Sequence, residues 1–133
     1  MQKLLLAYDG TDPSRRALEL TMTIAHKFDA EVTVVSVVPT RHGRSPVDPW
    51  DDAPVHTQEL IEAGRLLRED GIEPRLVESY GSVPETIEKL AAAGEFDTII
   101  VGSRNLSMLD RALQGSVSEH VAVHAGATVI VAR

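Results

Sequence analysis

Short apolar runs, the second and fourth of them β-branched, alternate along this chain with stretches of helical periodicity, and few folds accommodate that alternation. The runs lie at residues 3–8, 31–38, 74–80, 99–101 and 127–132. Val32, Val34, Val35, Val37 and Val38 make the second nearly continuous, and Ile99, Ile100 and Val101 are consecutive, as in strands covered on both faces. Between the runs, apolar residues recur every three or four positions. The first such stretch carries Ala17, Leu20 or Thr21, Ile24 and Phe28; the second, at 55–70, carries Leu60, Ala63 and Leu67 with flanking Ile61. The third runs through Ile87, Leu90 and Ala91 to Gly94, and the fourth starts at Ser116 with Val117, Val121 and Ala125 on one face. Five strands alternating with four helices predict an α/β fold built on a doubly wound, five-stranded parallel sheet.

Local signals punctuate this pattern. Asp12 reads as an N-cap with Pro13 at the first helical position, and Gly71 as the C′ residue of the second helix. Ser82-Val83-Pro84-Glu85 reads as a capping box. The run at 74–80 is diluted by charge, which predicts a strand near a sheet edge. Residues 39–54 have no periodicity and read as a long loop, of the kind that is usually functional or disordered. Its Trp50, the one tryptophan, suits a surface or a subunit contact, with a lid over a ligand as the alternative. No linker or repeat divides the chain, so residues 1–133 are expected to form a single domain.

Composition narrows function by exclusion. An apolar fraction of 43% and a charged fraction of 25% are those of a soluble globular protein. No run approaches the roughly 18 apolar residues of a membrane span, and Leu4-Leu5-Leu6-Ala7 is too short for a signal-peptide core. A cytoplasmic protein is expected, without disulfide or thiolate chemistry, since cysteine is absent. A formal net charge of −7 argues against general nucleic-acid binding. Attraction for a phosphorylated small molecule would have to be local, from backbone amides, helix N-termini or single arginines.

Residues 97–118 carry the strongest functional signal. A buried strand ends at Gly102, where backbone can come close to a neighbour, and Gly115-Ser116 opens a helix whose unpaired N–H groups and hydroxyl suit an anion. Strand one is not followed by Gly-x-Gly-x-x-Gly, and Gly-x-x-x-x-Gly-Lys-Ser/Thr occurs nowhere. A phospho-receiver domain would need an aspartate ending strand three and a lysine ending strand five; here those strands end Glu78-Ser79-Tyr80 and Arg133. What remains is Asp9 after strand one, together with Gly102-x-x-Asn105, nine residues, then Gly115-Ser116 after strand four.

With these motifs the whole chain resembles the universal stress protein family. The opening Leu-Leu-Ala-Tyr-Asp-Gly-Thr-Asp-Pro-Ser-Arg-Arg-Ala-Leu is similar to that family's first strand and helix. The segment from Val101 to Ser118 is similar to its nucleotide loop, Gly-x2-Gly-x9-Gly-Ser/Thr, with Asn105 in place of the second glycine. The resemblance implies a Rossmann-like, adenine nucleotide alpha hydrolase-like fold with strand order 3-2-1-4-5. Its ligand crevice would lie between strands one and four. It further implies that Asp9 contacts the adenosine part and the backbone of Val37 the adenine edge. Gly102, Asn105, Gly115, Ser116 and Val117 would line the phosphates. The cofactor would be ATP or AMP, with any Mg²⁺ arriving on the phosphates. A homodimer through the C-terminal edge strand, 128–132, is the implied assembly.

Three functions stay open on this reading: a non-enzymatic nucleotide-binding stress-response module, a nucleotide-free dimeric interaction protein of the same fold, and a slow ATPase. Arg104 and Arg111 flank the cradle, either to screen phosphate or as solvated loop residues. His120 and His124 have a zinc-compatible spacing but lack a third ligand. His26, His42 and His56 fall in no partner pattern, and no serine is paired with a base.

Overall fold

The computed structural model describes residues 1–39, 53–81, 86–87, 89–90, 93, 96–102 and 128–132. Strands β1 (Lys3–Ala7), β2 (Glu31–Pro39), β3 (Arg75–Gly81), β4 (Thr98–Gly102) and β5 (Thr128–Ala132) form one sheet in the order β3-β2-β1-β4-β5. Every pairing is parallel; Leu5 of β1 lies between Thr33 of β2 and Ile99 of β4. This is the doubly wound order expected for the chain. The diluted strand β3 does occupy an edge, and there Tyr80 is 62% exposed.

The period-two alternation of each strand sorts its side chains onto two apolar layers. Leu4, Leu6, Tyr8, Val32, Val34 and Ile100 face helices α1 (Asp12–Phe28) and α2 (Ala53–Glu69). Leu5, Ala7, Val35, Val37, Ile99 and Val101 face the opposite way and pack with Ile87, which lies in a helical stretch that also includes Leu90. Leu4, Leu5 and Leu6 are completely buried. Each contributes at most about 1.5–3 kcal/mol of apolar burial, and β1 is covered on both faces.

Helix α1 starts one residue earlier than its sequence suggests. The N-cap is Thr11, not Asp12; Asp12 is the first helical residue and Pro13 the second. Thr11 prevails because its hydroxyl oxygen accepts from the Ser14 N–H at 3.4 Å, while Asp9 holds its N–H from behind. The inward stripe consists of Ser14, Ala17, Leu18, Thr21, Ile24 and Ala25, and Phe28 does not extend it. Phe28 is 50% exposed, in the last turn before the chain reverses at Asp29 in the left-handed region. The Ala30 N–H then returns to the Ala25 carbonyl at 3.0 Å.

Helix α2 buries Leu60, Ala63 and Leu67 and leaves Ile61 outside. It ends as the glycine predicted: Gly71 takes φ +81°, its N–H reaches the Arg68 carbonyl, and the Ile72 N–H reaches that of Leu67 at 2.9 Å. This is a Schellman closure, with Ile72 buried beside Leu67. Among the described residues, no helix is long and apolar enough to cross a membrane.

Candidate functional site

In the order β3-β2-β1-β4-β5 the sheet grows away from β1 in one direction and from β4 in the other, so the crevice of this fold opens at their carboxyl ends. Ala7 is level with Val101 in the ladder. Tyr8 and Asp9, directly after β1, and Gly102 at the end of β4 therefore bring up the two walls.

Asp9 stands in a short hydrogen-bonded turn. Its N–H donates to Ser14 Oγ at 2.9 Å, and its Oδ1 accepts from both the N–H and the hydroxyl of Thr11. Both carboxylate bonds fall on Oδ1, and among the described residues Oδ2 receives no donor. Gly10 follows with φ +76°, a conformation that favours glycine, and swings the chain into α1.

Gly102 has an intramolecular reason to be glycine. A Cβ there would lie 2.8 Å from the Ser14 nitrogen and 2.9 Å from the Pro13 carbonyl carbon, both rigid backbone. The partner whose close approach the sequence signals is thus the first turn of α1. That helix terminus is capped by Thr11, so part of its capacity for an anion is already used.

Val37 is buried in the layer shared with Ile87. The bonds between β1 and β2 run as far as the Tyr8 N–H on the Val35 carbonyl, 3.0 Å, and the backbone of Val37 lies just beyond. Asp9, Val37 and Gly102 are therefore brought to the same end of three adjacent strands. Asn105, Gly115, Ser116 and Val117 lie outside the described residues, as do Arg104, Arg111, His42, His120, His124 and Trp50.

A group of polar side chains that periodicity did not reveal adjoins this end. Tyr8 is 2% exposed, and its hydroxyl has no hydrogen-bond partner among the described residues. Burial first, then the Glu62 and Glu59 carboxylates, push its pKa up against the opposing effect of Arg15. The Glu59 side chain lies along the Gly10 turn, with Cγ, Cδ and Oε1 each 3.3 Å from where a Gly10 Cβ would be. Its Oε2 is buried, 3.3 Å from His56 Nδ1 without a well-formed hydrogen bond. Burial raises the Glu59 pKa; His56 lowers it, and Asp9 and Glu62 raise it further. Arg15 reaches Glu62 at 3.9 Å across the two helices.

Two histidines thus have partners that the sequence did not suggest. The i,i+3 spacing of His56 and Glu59 on α2 was a usable signal. His26 Nε2 meets Asp70 Oδ2 at 2.8 Å, a contact between residues 44 apart that no local pattern announces. Among the described residues no group of three or more His, Asp or Glu side chains is arranged to hold a metal. A cavity of about 310 Å³, lined by Lys3, Glu31, Thr33, Glu73, Arg75 and Phe96, lies at the opposite, amino-terminal end of the strands. It has no part in the crevice.

The all-parallel order 3-2-1-4-5 defines a doubly wound, Rossmann-like class of α/β fold, with an aspartate turn and a glycine at its switch point. The universal stress protein family model matches residues 1–133, and the chain belongs to that family. A universal stress protein of Methanocaldococcus jannaschii is 31% identical over 148 aligned residues, which cover 99% of this chain and 82% of the relative. Among solved structures, a universal stress protein in complex with cAMP superposes with a TM-score of 0.73 at 22% identity, covering 99% of this chain and 97% of that one. The Archaeoglobus fulgidus protein in complex with dAMP gives 0.73 at 24% identity, covering 100% and 98%. At these identities the two structures establish the fold alone.

Proposed function

We propose that this chain binds an adenine nucleotide, ATP or AMP, in the crevice between β1 and β4 and acts as a non-enzymatic stress-response module. Occupancy would alter its state or its partners. The observation that carries this reading is the Asp9 turn, which stands at the switch point of the sheet with Oδ2 uncommitted among the described residues. Asp9 and the Val37 backbone would receive the adenosine part; Gly102, Asn105, Gly115, Ser116 and Val117 would line the phosphates. The cAMP and dAMP held by related structures support an adenine ligand. Any Mg²⁺ would come with the phosphates. Three or four charge-assisted hydrogen bonds of roughly 1.5–3 kcal/mol each, together with adenine burial, must outweigh an association cost of about 4–15 kcal/mol, so the loss of one contact is expected to weaken binding severely.

A second reading, a nucleotide-free dimeric interaction protein pairing through the edge strand β5, is favoured by one observation. Gly102 is already accounted for by its contact with Ser14, so it does not by itself call for a ligand. Titration with labelled ATP and AMP separates the two. Saturable binding, lost in Gly115→Val and weakened in Asp9→Ala, supports nucleotide binding. No binding at millimolar nucleotide overturns it and leaves the second reading. A monomer in sedimentation at micromolar concentration overturns the dimer.

A further inference from the structure

We propose that Glu59 is a specificity-determining residue of the nucleotide site, one that selects against ligand charge and so favours the less phosphorylated adenine ligands over ATP. The inference rests on the nucleotide-binding reading and refines it. Its basis is geometric. The Glu59 carboxylate packs along the Gly10 turn, 3.3 Å from the Gly10 Cβ position, directly after Asp9. Any group that reaches Asp9 therefore comes well within a Debye length, about 8–10 Å, of Glu59.

Among the described residues the charges around the turn are unbalanced. Asp9, Glu59 and Glu62 stand on the negative side. Among the described residues, the Arg15 guanidinium is drawn to Glu62 at 3.9 Å, and the His56 imidazole lies against Glu59 at 3.3 Å. The mutual influence of Asp9, Glu62 and Glu59 shows in the raised Glu59 pKa, in which both neighbours take part after burial. Beneath the group, the buried Tyr8 hydroxyl is unpartnered among the described residues and feels Glu62, Arg15 and Glu59. A wall of this kind accepts hydrogen bonds from neutral donors, such as ribose hydroxyls or an exocyclic amine, and repels each added negative charge. With the whole chain at −7, no long-range field offsets that repulsion.

The decisive experiment compares adenosine, AMP and ATP binding, without Mg²⁺, to the wild-type chain and to Glu59→Gln, which keeps the shape and removes the charge. The expected result is a gain of about threefold or more for AMP, a larger gain for ATP, and little change for adenosine. A wild-type salt titration is independent of whether the variant folds: ATP affinity should rise relative to AMP between low and high NaCl. Identical AMP-to-ATP ratios in wild type and a folded Glu59→Gln, or a ratio insensitive to salt, overturn the inference while nucleotide binding stands. Failure of the wild type to bind any of the three ligands overturns both.

Discussion

A Cβ on Gly102 would stand 2.8 Å from the backbone nitrogen of Ser14, closer than real Cβ contacts come, and neither partner is a flexible side-chain end. The carboxyl end of β4 and the first turn of α1 are therefore in contact through backbone alone. Gly64 shows the contrast: there the corresponding contact, 2.9 Å, is with a terminal methyl of Leu76, which can move aside. Gly102→Ala should lower stability by about 1–3 kcal/mol, because relief requires moving a strand or a helix. Urea denaturation followed by far-UV circular dichroism reads this as a lower midpoint. An unchanged midpoint would show that the two elements separate freely.

Ser14 has no exposed surface, and its hydroxyl accepts the Asp9 N–H at 2.9 Å. Ser14→Ala removes that acceptor and leaves a part-buried N–H without its partner. The expected cost is about 1–3 kcal/mol. Amide hydrogen exchange at Asp9 should accelerate more than exchange in the middle of β1; equal protection would show that the bond contributes nothing local.

Asp97 ties the start of β1 to the start of β4. Its Oδ2 accepts the Gln2 and Lys3 N–H groups at 2.7 and 3.0 Å, and the Thr98 hydroxyl donates to Oδ1 at 2.8 Å. Burial acts to raise the Asp97 pKa, but these hydrogen bonds outweigh it and the net direction is down. A depressed carboxyl pKa gives stability that is present above the unfolded value of about 3.9 and lost as pH falls through the folded value. Asp97→Asn should therefore cost of order 1 kcal/mol at pH 7, an amount already reduced for solvent screening, and the difference should vanish as pH falls through the lowered folded value. A difference that persists in strong acid would assign the effect to shape instead of charge.

Glu59 has the opposite sign. Burial raises its pKa, and Asp9 and Glu62 add to the rise against His56. Its contribution to stability is fully present below the unfolded glutamate pKa and is lost as pH rises through the folded one. Glu59→Gln should match the wild type in acid and exceed it at neutral pH by up to about 1 kcal/mol. Thermal melts at pH 4 and pH 7 check this; a variant less stable at pH 7 would show that the His56 contact outweighs the crowding of carboxylates.

Much of this protein is legible in order along the chain. The short apolar runs, the helical stripes of Ala17, Ile24, Leu60, Ala63 and Leu67, and the Gly71 stop are local signals. Each depends on propensity and periodicity within a few residues. From them the alternation of elements follows, and the handedness of parallel crossovers restricts how the sheet can be wound. The Thr11 cap was misplaced by one residue because Thr11 and Asp12 are both good caps in isolation. Asp9, reaching forward to Thr11, decides between them.

What the sequence alone determined was the class of fold and the chemistry available at its strand ends: an aspartate after β1, a glycine ending β4, and no cysteine. Only the tertiary structure decided what those residues meet. Gly102 meets Ser14, Glu59 lies along Gly10, and His26 finds Asp70. These contacts join residues 44 to 88 positions apart, and in the Glu59 case 49. Periodicity describes which face of an element is apolar; it does not describe which element covers it, so polar groups meeting across elements leave no trace in the local pattern.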